Sequence, residues 1–99
     1  MLTPIHRGYA TFGTKNVQPD ESYANGLGLF LDSYVDVVKE AGNVWAVKVV
    51  DLHAVSGVFP NSRTQDGWIC NPNRDRLHPS TQGHKRIAEA LAREIGRFF

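Results

Sequence analysis

The stretch from residue 44 to residue 52 reads Val44-Trp45-Ala46-Val47-Lys48-Val49-Val50-Asp51-Leu52. It is mostly apolar and rich in β-branched side chains, which favour extended backbone. Runs of this kind are typical of a strand that is covered on both faces, as in a parallel sheet flanked by helices. The sequence therefore predicts a buried strand here, and this strand decides the fold class.

The segments before this strand follow an α/β order. Residues 1–5 are expected to form a strand tip that Pro4 stops, and residues 8–20 have the Gly, Pro, Asn and Asp content of a loop. From about residue 22, apolar side chains recur at three- and four-residue steps and predict a helix that ends at Gly42-Asn43. A strand tip, a loop and a helix thus lead into the predicted strand.

The segments after the strand are predicted to be a long loop and a helix. The loop runs from residue 53 to residue 79, and loops of that length are uncommon and often functional. Ser80 is expected to cap a helix that continues to about Arg97, with a buried stripe formed by Ile87, Ala88, Leu91 and Ile95. The alternation of strands and helices predicts a parallel α/β sheet with a right-handed crossover. Two strands make a poor sheet, so further strands are expected N-terminal to Met1 or from another copy of the chain.

Size and composition bound the function only broadly. Ninety-nine residues make one small domain or a piece of a larger one. A net charge of +1 gives no electrostatic reason to expect nucleic acid or an acidic membrane as partner. No apolar run is long enough to cross a bilayer, and the N-terminus lacks the zones of a signal peptide, which leaves the compartment open. The single cysteine, Cys70, excludes an intrachain disulfide.

An acid and an imidazole stand three residues apart in the predicted long loop. Asp75 precedes His78, and Pro79 restricts the backbone of His78 to extended conformations. This spacing can bring the carboxylate to Nδ1 of the imidazole and leave Nε2 facing a cleft. A carboxylate at Nδ1 fixes the tautomer of a histidine that acts as a general base. The alternative is that Asp75 caps a turn and His78 is an ordinary loop histidine.

The surrounding sequence resembles the C-terminal motif of the SGNH (GDSL) hydrolase family. That motif is Asp-x-x-His-Pro, then a glycine and a helix, and here it stands as Asp75-Arg76-Leu77-His78-Pro79-Ser80-Thr81-Gln82-Gly83-His84-Lys85-Arg86-Ile87-Ala88. Upstream, Leu2-Thr3-Pro4, Tyr23-Ala24 and Val49-Val50-Asp51-Leu52 resemble the family's fourth strand, a helix start and its fifth strand. The resemblance implies that residues 1–99 are a single partial domain, the C-terminal third of a family member.

The resemblance also implies a fold and an activity. The family has a flavodoxin-like three-layer α/β/α sandwich around a parallel sheet, and its members hydrolyse carboxylic esters with a serine nucleophile, often to deacetylate sugars. His78 would be the base and Asp75 would orient it, with no cofactor or metal. The serine and the oxyanion hole precede the part that this chain resembles. The chain alone is therefore expected to be inactive toward its ester substrate.

Other residues are weaker candidates for the site. Trp68 is expected either to line an acyl or sugar pocket or to fill the core under the loop. His6 and Arg7 follow the first strand tip and are expected at the same sheet edge as His78, where they could contact substrate. Ser56 is the least poor nucleophile within the chain. Arg74 and Arg76, which flank the acid, are expected to be solvated.

Two alternatives to the hydrolase interpretation stay open. The first is a zinc site built from Cys70, Asp75, His78 and His84, although no pair among them has a recognised ligand spacing. The second is a non-catalytic α/β module that acts by self-association or partner binding. A truncated sheet would expose a strand edge from Met1 to Ile5, and such edges are templates for pairing with another chain. That hypothesis predicts a homo-oligomer.

Overall fold

The first long helix begins and ends later than the sequence predicts. The structure, a computed structural model, describes residues 1–98, and helix α1 spans Leu31–Trp45. Before it, the side-chain oxygen of Asn25 accepts hydrogen bonds from the amides of Leu27 (2.8 Å) and Leu29 (3.1 Å). Such local bonds compete with helix formation, and Gly28 has a positive φ of 77°. Residues 22–30 therefore form turns, and the prediction of helix there is wrong.

The buried strand predicted over residues 44–52 is absent. Val44 and Trp45 lie in the last turn of α1, and Ala46 ends the helix in the left-handed conformation with a φ of 54°. Val50 alone in this stretch pairs as a strand, in an isolated parallel bridge to Leu2. Val44 and Trp45 are 68% and 76% exposed. The apolar run is thus not covered on both faces, which is the assumption on which the prediction depended.

The sheet forms instead from segments that were predicted to be loops. Its strands are β1 (Ala10–Thr11), β2 (Val17–Gln18), β3 (Ile69–Asn71) and β4 (Asp75–Pro79). They are ordered β2-β1-β4-β3, and every neighbouring pair is antiparallel. The predicted parallel, flavodoxin-like α/β/α sandwich is therefore wrong for this chain. Two short hairpins form the sheet, and the segment predicted to supply a parallel strand begins as the end of α1 and pairs only at Val50.

The remaining elements connect this sheet to the C-terminal helix. A one-turn helix α2 (Leu52–Val55) begins at the last residue of the predicted strand, and a 3-10 helix (Arg63–Trp68) lies within the segment predicted to be a long loop. Helix α3 spans Thr81–Gly96, and the Ser80 hydroxyl accepts a hydrogen bond from the amide of Gly83 at 3.1 Å. The predicted cap and the predicted C-terminal helix are confirmed.

The core is small and the chain is flat. The buried apolar side chains come from the sheet, the helices and the segments between them: Ala10, Val35, Val50, Leu52, Val58, Ile69 and Ala90. The extents are 44 × 34 × 19 Å, and the radius of gyration of 14.6 Å exceeds the value of about 13 Å typical of 100 residues. On α3, Ile87 and Leu91 are half-buried, whereas Ala88 and Ile95 are exposed, so the predicted buried stripe is only partly covered. None of the helices within residues 1–98 has the length and apolar character to cross a membrane.

Candidate active site

The acid and the imidazole of the motif lie on the same strand near the middle of the sheet. Strand β4 runs between β1 and β3, and Asp75 is paired with Ala10 on one side and Asn71 on the other. His78 lies near the end of β4, directly before the turn into α3. The dyad is therefore held by a central strand and a capped helix, and not by the loop that the sequence predicts.

The carboxylate of Asp75 binds both the backbone and the ring of the motif. Its Oδ1 accepts hydrogen bonds from the amides of Leu77 (3.1 Å) and His78 (3.0 Å). Its Oδ2 lies 2.9 Å from Nδ1 of His78. Asp75 is 8% exposed as a residue, whereas the side chain of His78 is 59% exposed. A buried acid thus orients an imidazole whose other edge is open to solvent.

These contacts set the charge state of the acid. Burial alone would raise the pKa of the Asp75 carboxyl. Hydrogen bonds from the amide and ring of His78 and from the amide of Leu77, together with the charge of the ring when it is protonated, lower it, and the net result is a pKa below the usual 3.8. Asp75 is therefore ionised at neutral pH and acts as an acceptor toward its neighbours.

An ionised acceptor at Nδ1 determines which nitrogen of His78 can act as a base. A neutral imidazole that donates its Nδ1 proton to Asp75 carries its lone pair on Nε2. The ring of Phe12, just beyond β1, lies 5.6 Å from the ring of His78 between centroids and is tilted by 46°. The arrangement can therefore take a proton from a group that approaches the exposed edge of the ring beside Phe12.

A buried arginine anchors β4 directly after the acid. The guanidinium of Arg76 donates hydrogen bonds to the carbonyls of Pro60 (2.7 Å), Pro72 (3.2 Å) and Ser62 (3.3 Å). Its Nη2 also lies 2.7 Å from Oδ1 of Asp66, outside hydrogen-bond geometry, so that contact is an ion pair. Arg76 is 7% exposed, and the prediction that it is solvated is wrong.

The three candidate substrate-binding residues lie in other surroundings. Trp68 packs against the guanidinium of Arg86 on α3, whose Cζ is 4.8 Å from the ring centroid. His6 contacts Glu21, and the amide of Arg7 donates to the same carboxylate at 3.1 Å. Within residues 1–98, no hydrogen bond or ring contact joins Trp68, His6 or Arg7 to His78. Their role in substrate binding stays a prediction.

The chain's own serines do not reach the dyad. Ser56, the least poor nucleophile from the sequence, is 2% exposed, and its hydroxyl accepts a hydrogen bond from the amide of Val58 at 3.2 Å. Among the described residues, no serine hydroxyl forms a hydrogen bond with His78. The dyad therefore lacks an attacking group within this part of the protein.

Metal-ligating side chains gather at a place that sequence spacing does not indicate. In the described part of the chain, one group of three His, Cys, Asp or Glu side chains has ligand atoms within 4.8 Å of one another, and it is His6, Glu21 and His53. The set considered from the sequence, around Cys70 and His84, is not brought together in this way. Contacts between residues so far apart along the chain have no local signal that could have revealed them.

Comparisons with known proteins give a likeness of fold. No family model matches the chain, and no curated protein matches it. Three chains of solved structures match, and one of them, from a crystal structure, is similar over 97% of this chain, with a TM-score of 0.79 and 28% sequence identity. This chain spans 41% of the length of that solved chain. The arrangement of short hairpins and helices is therefore one that an experimentally known protein shares as part of a larger chain.

Proposed function

We propose that this chain carries the acid–base pair of a serine ester hydrolase of the SGNH type. His78 is the general base that activates a serine and then protonates the leaving alcohol through Nε2. Asp75 orients the ring and stabilises the imidazolium that forms. The substrate is a carboxylic ester, with acetylated carbohydrate as one class.

The observation that carries this proposal is the 2.9 Å contact between Asp75 Oδ2 and His78 Nδ1. A turn that served only to cap the backbone would need just the two amide bonds to Oδ1. Here the second oxygen of the same buried carboxylate binds the ring, and the ring is left exposed at its other edge. Such a division of one carboxylate between backbone and imidazole supports a positioning role in proton transfer.

The proposal assigns the nucleophile and the oxyanion hole to protein outside this sequence. A nucleophile needs hydrogen-bond donors around the developing oxyanion as well as a base. The solved chain of similar fold is longer, since this chain spans 41% of it. That difference in length supports a functional unit in which further segments complete the site.

A fluorophosphonate probe tests whether such a unit exists. We expect the probe to label the natural protein that contains this chain on a serine outside residues 1–99, and to leave a separately produced 99-residue chain unlabelled. Labelling of the natural protein should be lost in His78→Gln and kept in His84→Gln, because His84 is an exposed histidine of α3. An unlabelled natural protein would count against a serine hydrolase, and labelling of the short chain would place the nucleophile within it.

A second candidate function is self-association without catalysis. Within residues 1–98, the segment from Met1 to Ile5 pairs on one side only, through the bridge between Leu2 and Val50, and Met1 and Leu2 are 48% and 50% exposed. The carbonyl of Lys48 accepts a hydrogen bond from the terminal amine of Met1, and the neighbouring Val47 is 43% exposed. An open strand edge beside exposed apolar side chains favours pairing with a second copy. Light scattering after size-exclusion chromatography should then give a dimer or larger, and a monomer at micromolar concentration would contradict this candidate.

A further inference from the structure

We propose that His6, Glu21 and His53 form a binding site for a divalent transition-metal ion of the Zn²⁺ type. Two imidazoles and one carboxylate are a ligand set that zinc enzymes use, with the fourth position left to water or substrate. The site shares no residue with the Asp75–His78 dyad. It therefore goes beyond the proposed esterase activity and does not depend on it.

The ligand atoms already lie close to the distances that a metal requires. Nδ1 of His6 is 2.8 Å from both carboxylate oxygens of Glu21, and the rings of His6 and His53 are 3.7 Å apart between centroids. All three ligand atoms lie within 4.8 Å of one another. A tetrahedral ion with bonds of about 2.0–2.1 Å sets its ligand atoms about 3.3 Å apart. The rings are tilted by 32° to each other, and their rotation about the side-chain bonds would direct one nitrogen of each at a shared ion.

The backbone around the ligands is held in place by a buried threonine. The hydroxyl of Thr3 donates to Oδ1 of Asp51 and accepts from the amide of His53, each at 3.1 Å. Thr3 is 3% exposed, and Asp51 caps α2 by accepting from the amide of Ala54. The segment that carries His6 is thus fixed to the helix that carries His53. A site whose ligands are positioned in advance binds a metal with less loss of conformational entropy.

The third ligand is oriented from outside the cluster. Oε2 of Glu21 accepts a hydrogen bond from the amide of Arg7 at 3.1 Å, and the ring of Phe59 packs edge-on against His6 with centroids 4.9 Å apart. Backbone donors of this kind commonly hold a metal-binding carboxylate in orientation. Both the carboxylate and one imidazole are therefore restrained before a metal arrives.

An ion can reach the cluster and keep an open coordination position. The side chains of His6 and Glu21 are 22% and 20% exposed. One cavity of about 270 Å³ is lined by His6, His53 and Ser56, and another of about 320 Å³ is lined by Glu21, His53 and Asp32. Either cavity has room for a water ligand. The geometry therefore fits an accessible site with a free position better than a closed structural one.

Zinc titration of the purified protein against a fluorescent chelator tests the site. We expect one Zn²⁺ per chain, and the affinity should fall about 100-fold or more in Glu21→Gln and in His53→Gln, since loss of even an outer partner of a metal ligand costs 10–100-fold. The matched controls are Cys70→Ser and His84→Gln, which remove an exposed thiol and an exposed imidazole elsewhere. Both controls should bind Zn²⁺ like the parent protein.

A measurement on the unaltered protein keeps the test independent of how well the variants fold. The chain has four histidines, so ¹⁵N spectra of its imidazoles can assign each ring. Added Zn²⁺ should shift the ring nitrogens of His6 and His53 and leave those of His78 and His84 in place. No binding with Zn²⁺ at 100-fold molar excess would overturn the proposal. Shifts confined to His78 and His84, or binding lost in Cys70→Ser, would overturn it as well.

Discussion

Asp75→Asn should reduce kcat for the proposed ester hydrolysis on the order of 10⁴-fold, with little change in KM. An asparagine oxygen can still accept from the amides of Leu77 and His78, so the local backbone is kept. Its amide group, however, would donate to Nδ1 of His78. The imidazole proton then moves to Nε2, and the base is lost at the nitrogen that faces the substrate.

A second carboxylate provides the control for this substitution. Asp51 also has a lowered pKa. Burial raises this pKa, but hydrogen bonds from Ala54, Thr3 and Lys39 and the charge of Lys39 lower it by a larger amount. Asp51→Asn should therefore lower stability at neutral pH, with a loss that shrinks in acid, much as Asp75→Asn does, yet leave kcat unchanged. If Asp75→Asn lowers kcat by less than 10-fold, or if both variants lose activity alike, Asp75 does not orient a catalytic base.

The pH dependence of folding gives an independent readout of the same contacts. The pKa of Asp75 is lower in the folded protein than the usual 3.8, so ionisation favours folding. Its contribution is fully present above the unfolded pKa and is lost as the pH falls through the lowered folded value. The difference in unfolding free energy between the parent and Asp75→Asn should therefore shrink below about pH 4.

Local sequence signals predict the local parts of this candidate site. The three-residue separation of Asp75 and His78 limits how far apart the carboxylate and Nδ1 can lie, and the structure has them 2.9 Å apart. Ser80 caps α3 as its position before a helical pattern indicates. Both features depend on contacts between residues within four positions of each other. Short-range geometry of this kind is largely determined by residue type and spacing.

The sequence does not predict the fold correctly where one pattern of apolar residues is compatible with two kinds of secondary structure. A short apolar run satisfies a buried strand and the end of a helix equally well, and residues 44–52 begin as the last turn of α1. Gly42 resembles a helix stop, but it is buried within α1, where a Cβ would lie 2.2 Å from the Val49 side chain. Its small size serves close packing there. Long-range contacts thus decide between interpretations that periodicity leaves equal.

The His6, Glu21 and His53 cluster could not be predicted for a related reason. His6 and Glu21 are 15 residues apart, and His53 joins them only because Thr3 binds its backbone from 50 residues away. The prediction that His6 contacts substrate depended on the assumption of a parallel sheet edge. Since that sheet is absent, the neighbours of His6 are set by packing that no motif encodes.

Arg76→Met should destabilise the protein by about 3 kcal/mol, the largest loss of stability that we expect from a single side chain in the site region. Methionine has a similar length and keeps the apolar packing of the stem. The carbonyls of Pro60, Ser62 and Pro72 and the carboxylate of Asp66 would lose their cationic partner. Buried acceptors without a donor cost far more than the net gain of the bonds themselves.

The neighbouring arginine provides the matched control. Arg74 is exposed, and Arg74→Met removes the same charge from the same hairpin, so its effect should stay within about 0.5 kcal/mol. Asp66→Asn should cost about 1 kcal/mol, because Arg76 keeps the carbonyls of Pro60, Ser62 and Pro72 as hydrogen-bond acceptors. Urea unfolding followed by circular dichroism measures all three variants. If Arg76→Met costs no more than Arg74→Met, the three carbonyl contacts do not hold β4 in place, and the anchor of the dyad must lie in β1 and α3 alone.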